Sequence, residues 1–534
     1  MTALLPDHPP LAVDGAGDEP PLLDPARAAR LASRLTTSPG APVREVRSPV
    51  SGRLVGLLPL SSEADVESAY RAARAAQRAW AERGLAARAR VLMRVHDLVL
   101  ERRDEILDIC LFETGKARRH GLEELLDVAL NARYYARNGK RLLKTRRRRG
   151  IAPILNPVWE VRHPKGVVGV IAPWNYPITV GLSDSLPALL AGNSVVIKPD
   201  WQTAFTALVL AEVLADAGVP EQVYQVVVGD GPVVGPMVVD RADYVCFTGS
   251  TRVGREVAQR AGARLKGCSL ELGGKNAAIV RADAHLNRTV EAMIRACFSN
   301  SGQLCISIER IYIHDDLYED FTARFAQAVD GLRVGPGHGF DVEMGSMISP
   351  QQLERTAAHV DEAVAQGARV LAGGVPRPDL GPFFYAPTVL EGVRPGMAVY
   401  AEETFGPVVS VYRVADDDEA VRRANDSPYG LNAAIFSRDV RAGRRLARRI
   451  NAGTVNINEG YGSTWGATDS PMGGMGDSGL GRRHGAEGIL KYTEAQTIGA
   501  QRLVGFGYPP QLPPERTAEL LAALPKALKW MGRR

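Results

Sequence analysis

Cys305 follows a short polar turn, Ser299-Asn300-Ser301-Gly302-Gln303-Leu304, and precedes a β-type run from Ile306 to Ile313. A thiol so placed can attack an electrophilic carbonyl if three conditions are met. Its pKa must be lowered, the charge developing on the acceptor needs donors, and a second half-reaction needs a base. Asn175, in Pro173-Trp174-Asn175-Tyr176-Pro177, can offer its amide N–H to an oxyanion. Glu271, in Leu270-Glu271-Leu272-Gly273-Gly274-Lys275, can serve as the base beside glycines that let a backbone come close to a ligand. Each residue also has an ordinary reading. A lone cysteine is most often a small buried hydrophobe. An Asn between prolines is usually a turn residue, and a Glu before Gly-Gly usually a solvated loop carboxylate.

Positioning these groups falls to an alternation of strands and helices. Val290, Met293, Ile294, Cys297 and Phe298 recur at helical spacing, so Cys305 sits where a helix hands over to the next segment. Upstream, an N-cap at Ser62 or Asp65 opens a helix to Ala81, and further helices are predicted over 88–111 and 122–143. An extended arm over 154–162 comes next. Strands are then predicted at 166–172, 194–197, 223–228 and 244–247, separated by helices at 203–217 and 232–239 and followed by one at 251–260. This pattern predicts a parallel sheet with helices on its faces, hence an α/β fold. A second alternation runs from about 310 to 458, which puts Cys305 near a domain junction, where pockets form. Asn175 lies just past the first strand of the parallel sheet, at the end where such sheets bind ligands.

Composition narrows the function. The 534 residues are 45% apolar and 23% charged, with a net charge of +5, an ordinary globular balance that gives no reason to expect nucleic acid. The run Arg146-Arg147-Arg148-Arg149 has no interleaved aromatic residues and reads as a solvated turn. No apolar run reaches a membrane span and no secretory signal is visible, and five cysteines without C-x-x-C spacing suit a reducing cytoplasm. Residues 1–45, rich in Pro, Gly and Asp, read as a flexible N-terminal arm. Leu520, Leu521, Leu524, Leu528 and Met531 could line one face of a short tail helix interrupted at Pro525.

Seven segments in one order carry a stronger signal: P-W-N-Y-P, V-I-K-P, F-T-G-S-T, L-E-L-G-G-K, G-Q-L-C, E-E-T-F-G-P and P-M-G-G-M-G-x-S-G. Over roughly residues 45 to 500 the chain resembles the aldehyde dehydrogenase superfamily, including the 34-residue interval from Glu271 to Cys305. The resemblance implies a Rossmann-like cofactor domain (46–145 and 167–273), a catalytic α/β domain (274–478), an oligomerisation arm (146–166 and 485–502) and a C-terminal tail (503–534). It implies Cys305 as nucleophile, Asn175 with the Cys305 backbone N–H as oxyanion donors, and Glu271 as the base that activates water. It also implies an NADP or NAD site at Trp174, Lys198, Gly229, Gly231, Gly249, Ser250, Leu272, Glu403 and Phe405. No metal is implied, and the expected assembly is a homodimer or homotetramer.

Two departures from the family matter. Many members that prefer NAD carry Glu three residues after the lysine, and here that residue is Trp201, so no carboxylate repels a 2′-phosphate there. Where some members have an acid thought to relay protons, this chain has Arg483.

Within the superfamily the chain is similar to bacterial NADP-type succinate-semialdehyde dehydrogenases, whose serine in N-E-G-x-x-S, here Ser463, contacts the substrate carboxylate. The two arginines that clamp this carboxylate in that group correspond to Ser183 and Ser299. The alternatives are a medium-chain or aromatic aldehyde, a CoA-acylating enzyme, which would not need Glu271, and an inactive structural protein on the same fold.

Overall fold

A computed structural model describes residues 22–150, 156–502, 507 and 511–530. The chain forms two compact units. The larger comprises the described parts of 1–143 and 164–494, and the smaller those of 144–163 and 495–534.

The larger unit is built on two sheets. The first has six strands in the order Gly479–Leu480, Gly267–Glu271, Tyr244–Thr248, Val167–Ile171, Ser194–Lys198 and Tyr224–Val226. Five are parallel, and Gly479–Leu480 is antiparallel to its neighbour. Chain order reverses between Val167–Ile171 and Tyr244–Thr248, and at such a switch point the loops beyond the strands' C-terminal ends diverge and leave a crevice. Pro173-Trp174-Asn175 and Gly249-Ser250 follow those two strands. The second sheet has seven strands in the order Arg369–Ala372, Thr388–Glu391, Val408–Val414, Ile308–His314, Asn276–Val280, Asn432–Phe436 and Thr454–Ile457, all parallel but the first. Glu271 ends a strand of the first sheet, and five residues later Asn276 begins a strand of the second.

Local chemistry sets the helix boundaries. Ser62 caps the helix Glu63–Glu82 in a capping box: its hydroxyl accepts the Asp65 N–H and the Asp65 carboxylate accepts the Ser62 N–H. Such a cap contributes about 1 kcal/mol. The helix expected over 88–111 is two helices, Leu85–Glu101 and Arg103–Thr114, divided at Arg102, whose backbone leaves the helical region (φ −96°, ψ 19°).

Residues 22–45 are not a loose arm. Pro25–Ala32 is a helix capped by Asp24, and Val43–Arg47 is a strand paired antiparallel with Leu54–Pro59. Leu31 and Leu35 are buried in the main core, and that apolar anchoring outweighs the local proline and glycine content. The rest of that predicted arm, 1–21, lies outside the described residues.

In the smaller unit, Arg146–Arg148 is an edge strand rather than a turn. It pairs antiparallel with Val158–Pro164, and Arg148 donates to Glu160 across the pair. A cross-strand carboxylate compensates a charge that sequence alone assigns to solvent. Thr493–Gly499 completes this three-stranded sheet on its other edge. The C-terminal helix, Pro514–Trp530, continues through Pro525. Proline removes one backbone bond there, and on an exposed helix water can take the freed carbonyl. Residues 151–155 of the predicted extended arm, and Met531, lie outside the described residues. Among the described residues no helix is long and apolar enough to cross a membrane.

Candidate active site

Cys305 is half-buried at a cavity of about 250 Å³ whose wall includes Trp174, Asn175, Glu271, Leu272, Phe405 and Arg483. The chain reaches it from the helix Leu286–Phe298 through one tight turn, with Asn300, Ser301 and Gly302 all at positive φ. A side chain at Gly302 would strike the Gly406 carbonyl (2.0 Å from a Cβ), so this position must be glycine. The Asn300 amide ties the turn to the carbonyls of Asn175 and Gln303, both at 3.0 Å. Gly274 presses against the Cys305 carbonyl, which a Cβ would meet at 2.8 Å.

Burial pushes the Cys305 thiol up to about 12, with Glu271 and Glu403 adding to the shift and Arg483 opposing it. The lowered pKa that a reactive cysteine calls for is therefore not a property of this resting site. A thiol among carboxylates in a poorly solvated pocket keeps its proton until a base takes it. Glu271 is suited to the task. It is buried, and burial raises its pKa to about 7, with Arg483 and Lys491 opposing. Among the described residues no hydrogen bond reaches its carboxylate oxygens. The neighbouring buried acids are tied down: Glu124 by Lys116, Glu309 by Lys275, Asp184 by Arg483 and Glu403 by the Gly274 N–H. Glu271 alone of this group is free to turn between the thiol and a water molecule.

Asn175 donates one amide N–H to the Gln303 carbonyl at 3.0 Å, which leaves the second for an oxyanion. Its backbone is braced from below. Lys116, buried, donates to the Asn175 carbonyl at 2.7 Å and pairs with Glu124, and the Glu124 carboxylate accepts the N–H groups of Ile178 (2.9 Å) and Thr179 (3.1 Å). A second buried pair does the same for the opposite wall. Glu309, paired with Lys275, accepts the backbone N–H groups of Thr404 and Phe405. Sequence reading missed these four residues as functional. Lys275 lies within L-E-L-G-G-K and Glu309 within the β-type run after Cys305, while Lys116 and Glu124 carried no local signal.

The predicted cofactor residues other than Gly229 divide between two cavities. Trp174, Gly249, Ser250, Leu272, Glu403 and Phe405 line the cavity at Cys305, and the Trp174 and Phe405 rings meet edge to face at 5.5 Å. Lys198 and Gly231 line a second cavity of about 740 Å³. Gly229 lies two residues before Gly231, and a Cβ there would fall 2.5 Å from Val234. These features fit a nicotinamide dinucleotide. The buried Lys198 ammonium donates, among the described residues, to one acceptor, the Pro199 carbonyl at 3.2 Å, and so retains donors for a ribose. Ser250 caps the helix Thr251–Gly262, whose first turn presents free N–H groups to an anion.

The three serines assigned to a substrate carboxylate do not line the Cys305 cavity. Ser183 donates to Asp127 at 2.8 Å, Ser299 donates to the Arg295 carbonyl and accepts the Tyr461 hydroxyl, and the Ser463 N–H donates to Glu459. The wall beyond Cys305 is instead aromatic and apolar, with Tyr176, Trp465 and Met472, and the Tyr176 and Trp465 rings meet at 5.7 Å. Arg483 also lines the cavity. Its guanidinium is held by Asp184 (2.6 Å) and Thr248 (2.6 Å).

Known proteins share this architecture. A profile described as the aldehyde dehydrogenase family matches residues 36–498. A Mycobacterium tuberculosis protein named "Putative succinate-semialdehyde dehydrogenase (NADP+) 2" is 50% identical over 494 residues, 92% of this chain and 95% of that one. The crystal structure of an Escherichia coli NADP dependent enzyme is 32% identical, with a TM-score of 0.84, covering 89% of this chain and 99% of that one. An NAD+ complex of an aldehyde dehydrogenase from Bacillus cereus is 31% identical, with a TM-score of 0.83, covering 87% and 94%.

Proposed function

The chain belongs to the aldehyde dehydrogenase family and oxidises aldehydes, and from that premise we propose that it converts succinate semialdehyde to succinate with NADP+. The observation that carries the chemistry is one cavity shared by Cys305, the Asn175 amide and an untethered Glu271. The thiol proton passes to Glu271, and the sulfur adds to the aldehyde carbon. The second N–H of Asn175 and the Cys305 backbone N–H hold the oxygen of the resulting thiohemiacetal. A bound nicotinamide nucleotide supplies the hydride acceptor. Trp174, Gly249, Ser250, Leu272, Glu403 and Phe405 would hold its nicotinamide and pyrophosphate portions, and Lys198, Gly229 and Gly231 its adenosine end. Loss of hydride leaves a thioester on Cys305. Glu271 passes the thiol proton on to solvent and, as a carboxylate again, takes a proton from water, which attacks the thioester; the C–S bond breaks, the acid leaves and Cys305 recovers a proton.

The name of the half-identical mycobacterial relative supports this substrate and cofactor. The apolar wall of Tyr176, Trp465 and Met472 favours a second reading, a neutral medium-chain or aromatic aldehyde. A kcat/KM panel decides. Succinate semialdehyde is expected to exceed pentanal and benzaldehyde by about tenfold or more, a difference of about 1.4 kcal/mol in transition-state binding. A neutral aldehyde ahead of it sinks the succinate reading.

The cofactor reading has its own test. Trp201→Glu sets a carboxylate three residues after Lys198, where it repels a 2′-phosphate and can accept hydrogen bonds from a ribose hydroxyl. The ratio of kcat/KM for NADP+ over NAD+ is expected to fall by about tenfold, the size of one lost charge contact. A wild-type enzyme that already prefers NAD+ overturns the choice of NADP+. Assembly as a homodimer or homotetramer belongs to the same reading, because among the described residues Thr493–Gly499 is an exposed edge strand, a surface on which a second copy can pair.

A further inference from the structure

Asp230 opens the helix Gly231–Arg241 as its N-cap residue, yet its side chain makes no capping hydrogen bond. An aspartate in that position ordinarily accepts a first-turn N–H. This one turns to Arg44, 186 residues earlier in the chain. The contact is two-pronged, Nη1 to Oδ1 at 2.6 Å and Nη2 to Oδ2 at 3.3 Å. The Arg44 guanidinium lies over the Trp201 ring, 4.7 Å from its centre. Arg44 is half-buried and Asp230 exposed, so the pair borders solvent. Asp230 also faces Lys198 electrostatically, since each charge favours the ionised form of the other. Arg44, Asp230, Trp201 and Lys198 therefore meet at one corner of the nucleotide-binding sheet.

Dinucleotide sites distinguish their cofactors at the adenosine ribose. An acid there accepts hydrogen bonds from the 2′-hydroxyl of NAD, and a nearby arginine accommodates the 2′-phosphate of NADP. This chain carries both groups at one corner, and they are bonded to each other. We infer that Arg44 is the residue that selects NADP+. It removes Asp230 as a ribose acceptor and presents its own charge to the 2′-phosphate. This rests on the reading that places the adenosine end at Lys198. Of the five guanidinium N–H donors, two are spent on Asp230 and three remain. Contact with the Trp201 ring and the pairing with Asp230 restrain the guanidinium, so less side-chain freedom is lost when a phosphate binds. Trp201 thus does more than leave out a repelling carboxylate: it is the platform that holds the cation.

Binding of adenosine 2′,5′-bisphosphate and of 5′-AMP to the full-length protein tests this without turnover. The two ligands differ in the 2′-phosphate, and calorimetry reads either. The wild type is expected to prefer the bisphosphate. Arg44→Ala is expected to weaken bisphosphate binding by about tenfold or more, with 5′-AMP binding unchanged or tighter because Asp230 is released to the ribose. Arg44→Lys keeps the charge but not the fork, and should fall between the two. Arg44→Ala combined with Asp230→Asn should recover part of the loss by removing the exposed acid. Matching melting curves and retained 5′-AMP binding exclude misfolding as the cause. If the wild type prefers the bisphosphate and Arg44→Ala keeps the same ratio, Arg44 is not the selector and the NADP+ reading stands. If the wild type does not distinguish the two ligands, both the inference and the NADP+ reading fall.

Discussion

Glu271→Gln is expected to release about one equivalent of NADPH per active site in a burst and then to turn over about 10²–10⁴-fold more slowly than the wild type. The two halves of the reaction ask different things of this residue. Thiol addition needs one proton removed from Cys305, which a slow transfer to solvent can replace in a single turnover. Thioester hydrolysis needs a base beside the water in every cycle. Glutamine matches glutamate in shape and cannot take the proton, so the acyl-enzyme accumulates. Rapid mixing separates the burst from the steady state, and mass spectrometry identifies an acyl adduct on Cys305. The pH profile adds a second readout. In the proposed mechanism the active form of Glu271 is the carboxylate, and burial, opposed by Arg483 and Lys491, raises its pKa to about 7. Below that value the base is protonated and inactive, so the wild-type steady-state rate should climb through about pH 7, and this limb should vanish in Glu271→Gln. Turnover by the variant at the wild-type rate would assign the base elsewhere.

Lys116→Met is expected to cost about 3–5 kcal/mol of stability, because it leaves the Glu124 carboxylate buried without its cation. Both side chains are almost wholly inaccessible, and burial already raises the Glu124 pKa against the pull of Lys116. The catalytic effect follows from geometry. The same ammonium donates to the Asn175 carbonyl and sits 3.8 Å from the centre of the Tyr176 ring, so the turn that carries the oxyanion donor loses its brace. Chemical denaturation should report the stability loss, and kcat should fall more than KM rises, since in the proposed mechanism Asn175 acts on charge that appears after binding. The double variant Lys116→Met, Glu124→Met removes both charges. It should regain much of the stability and little of the activity. A double variant as active as the wild type would reduce the pair to a structural role.

The outcome at each element shows what a sequence can carry. Local geometry was legible. The alternation of apolar runs and helical periods predicted the strands from Val167 to Thr248 to within a few residues, because side-chain periodicity reports the backbone that presents it. The segments around Cys305, Glu271 and Asn175 were legible for a related reason. Gly273, Gly274 and Gly302 lie where a Cβ would collide with Glu403, Cys305 or Gly406, so the residue type itself records the close approach. Segments 22–45 and 146–149 were misread because composition describes an isolated stretch, and the buried Leu31 and the partner Glu160 lie elsewhere in the chain.

Tertiary structure alone decided which distant side chains meet. Lys116 reaches Asn175 across 59 residues, Glu309 reaches Lys275 across 34, and Arg44 reaches Asp230 across 186. No periodicity encodes such pairings, because they depend on how whole sheets and helices pack. The chemistry of the thiol has the same origin. Sequence assigned Cys305 a nucleophile's role, but its high resting pKa and its dependence on an untethered Glu271 come from burial and from charges that folding brings together. The serines at 183, 299 and 463 make the point from the other side. Alignment with a motif gave them a ligand, while the fold gives their hydroxyl or backbone groups to Asp127, Arg295, Tyr461 and Glu459, because a hydrogen-bonding group turns to whichever partner packing sets beside it.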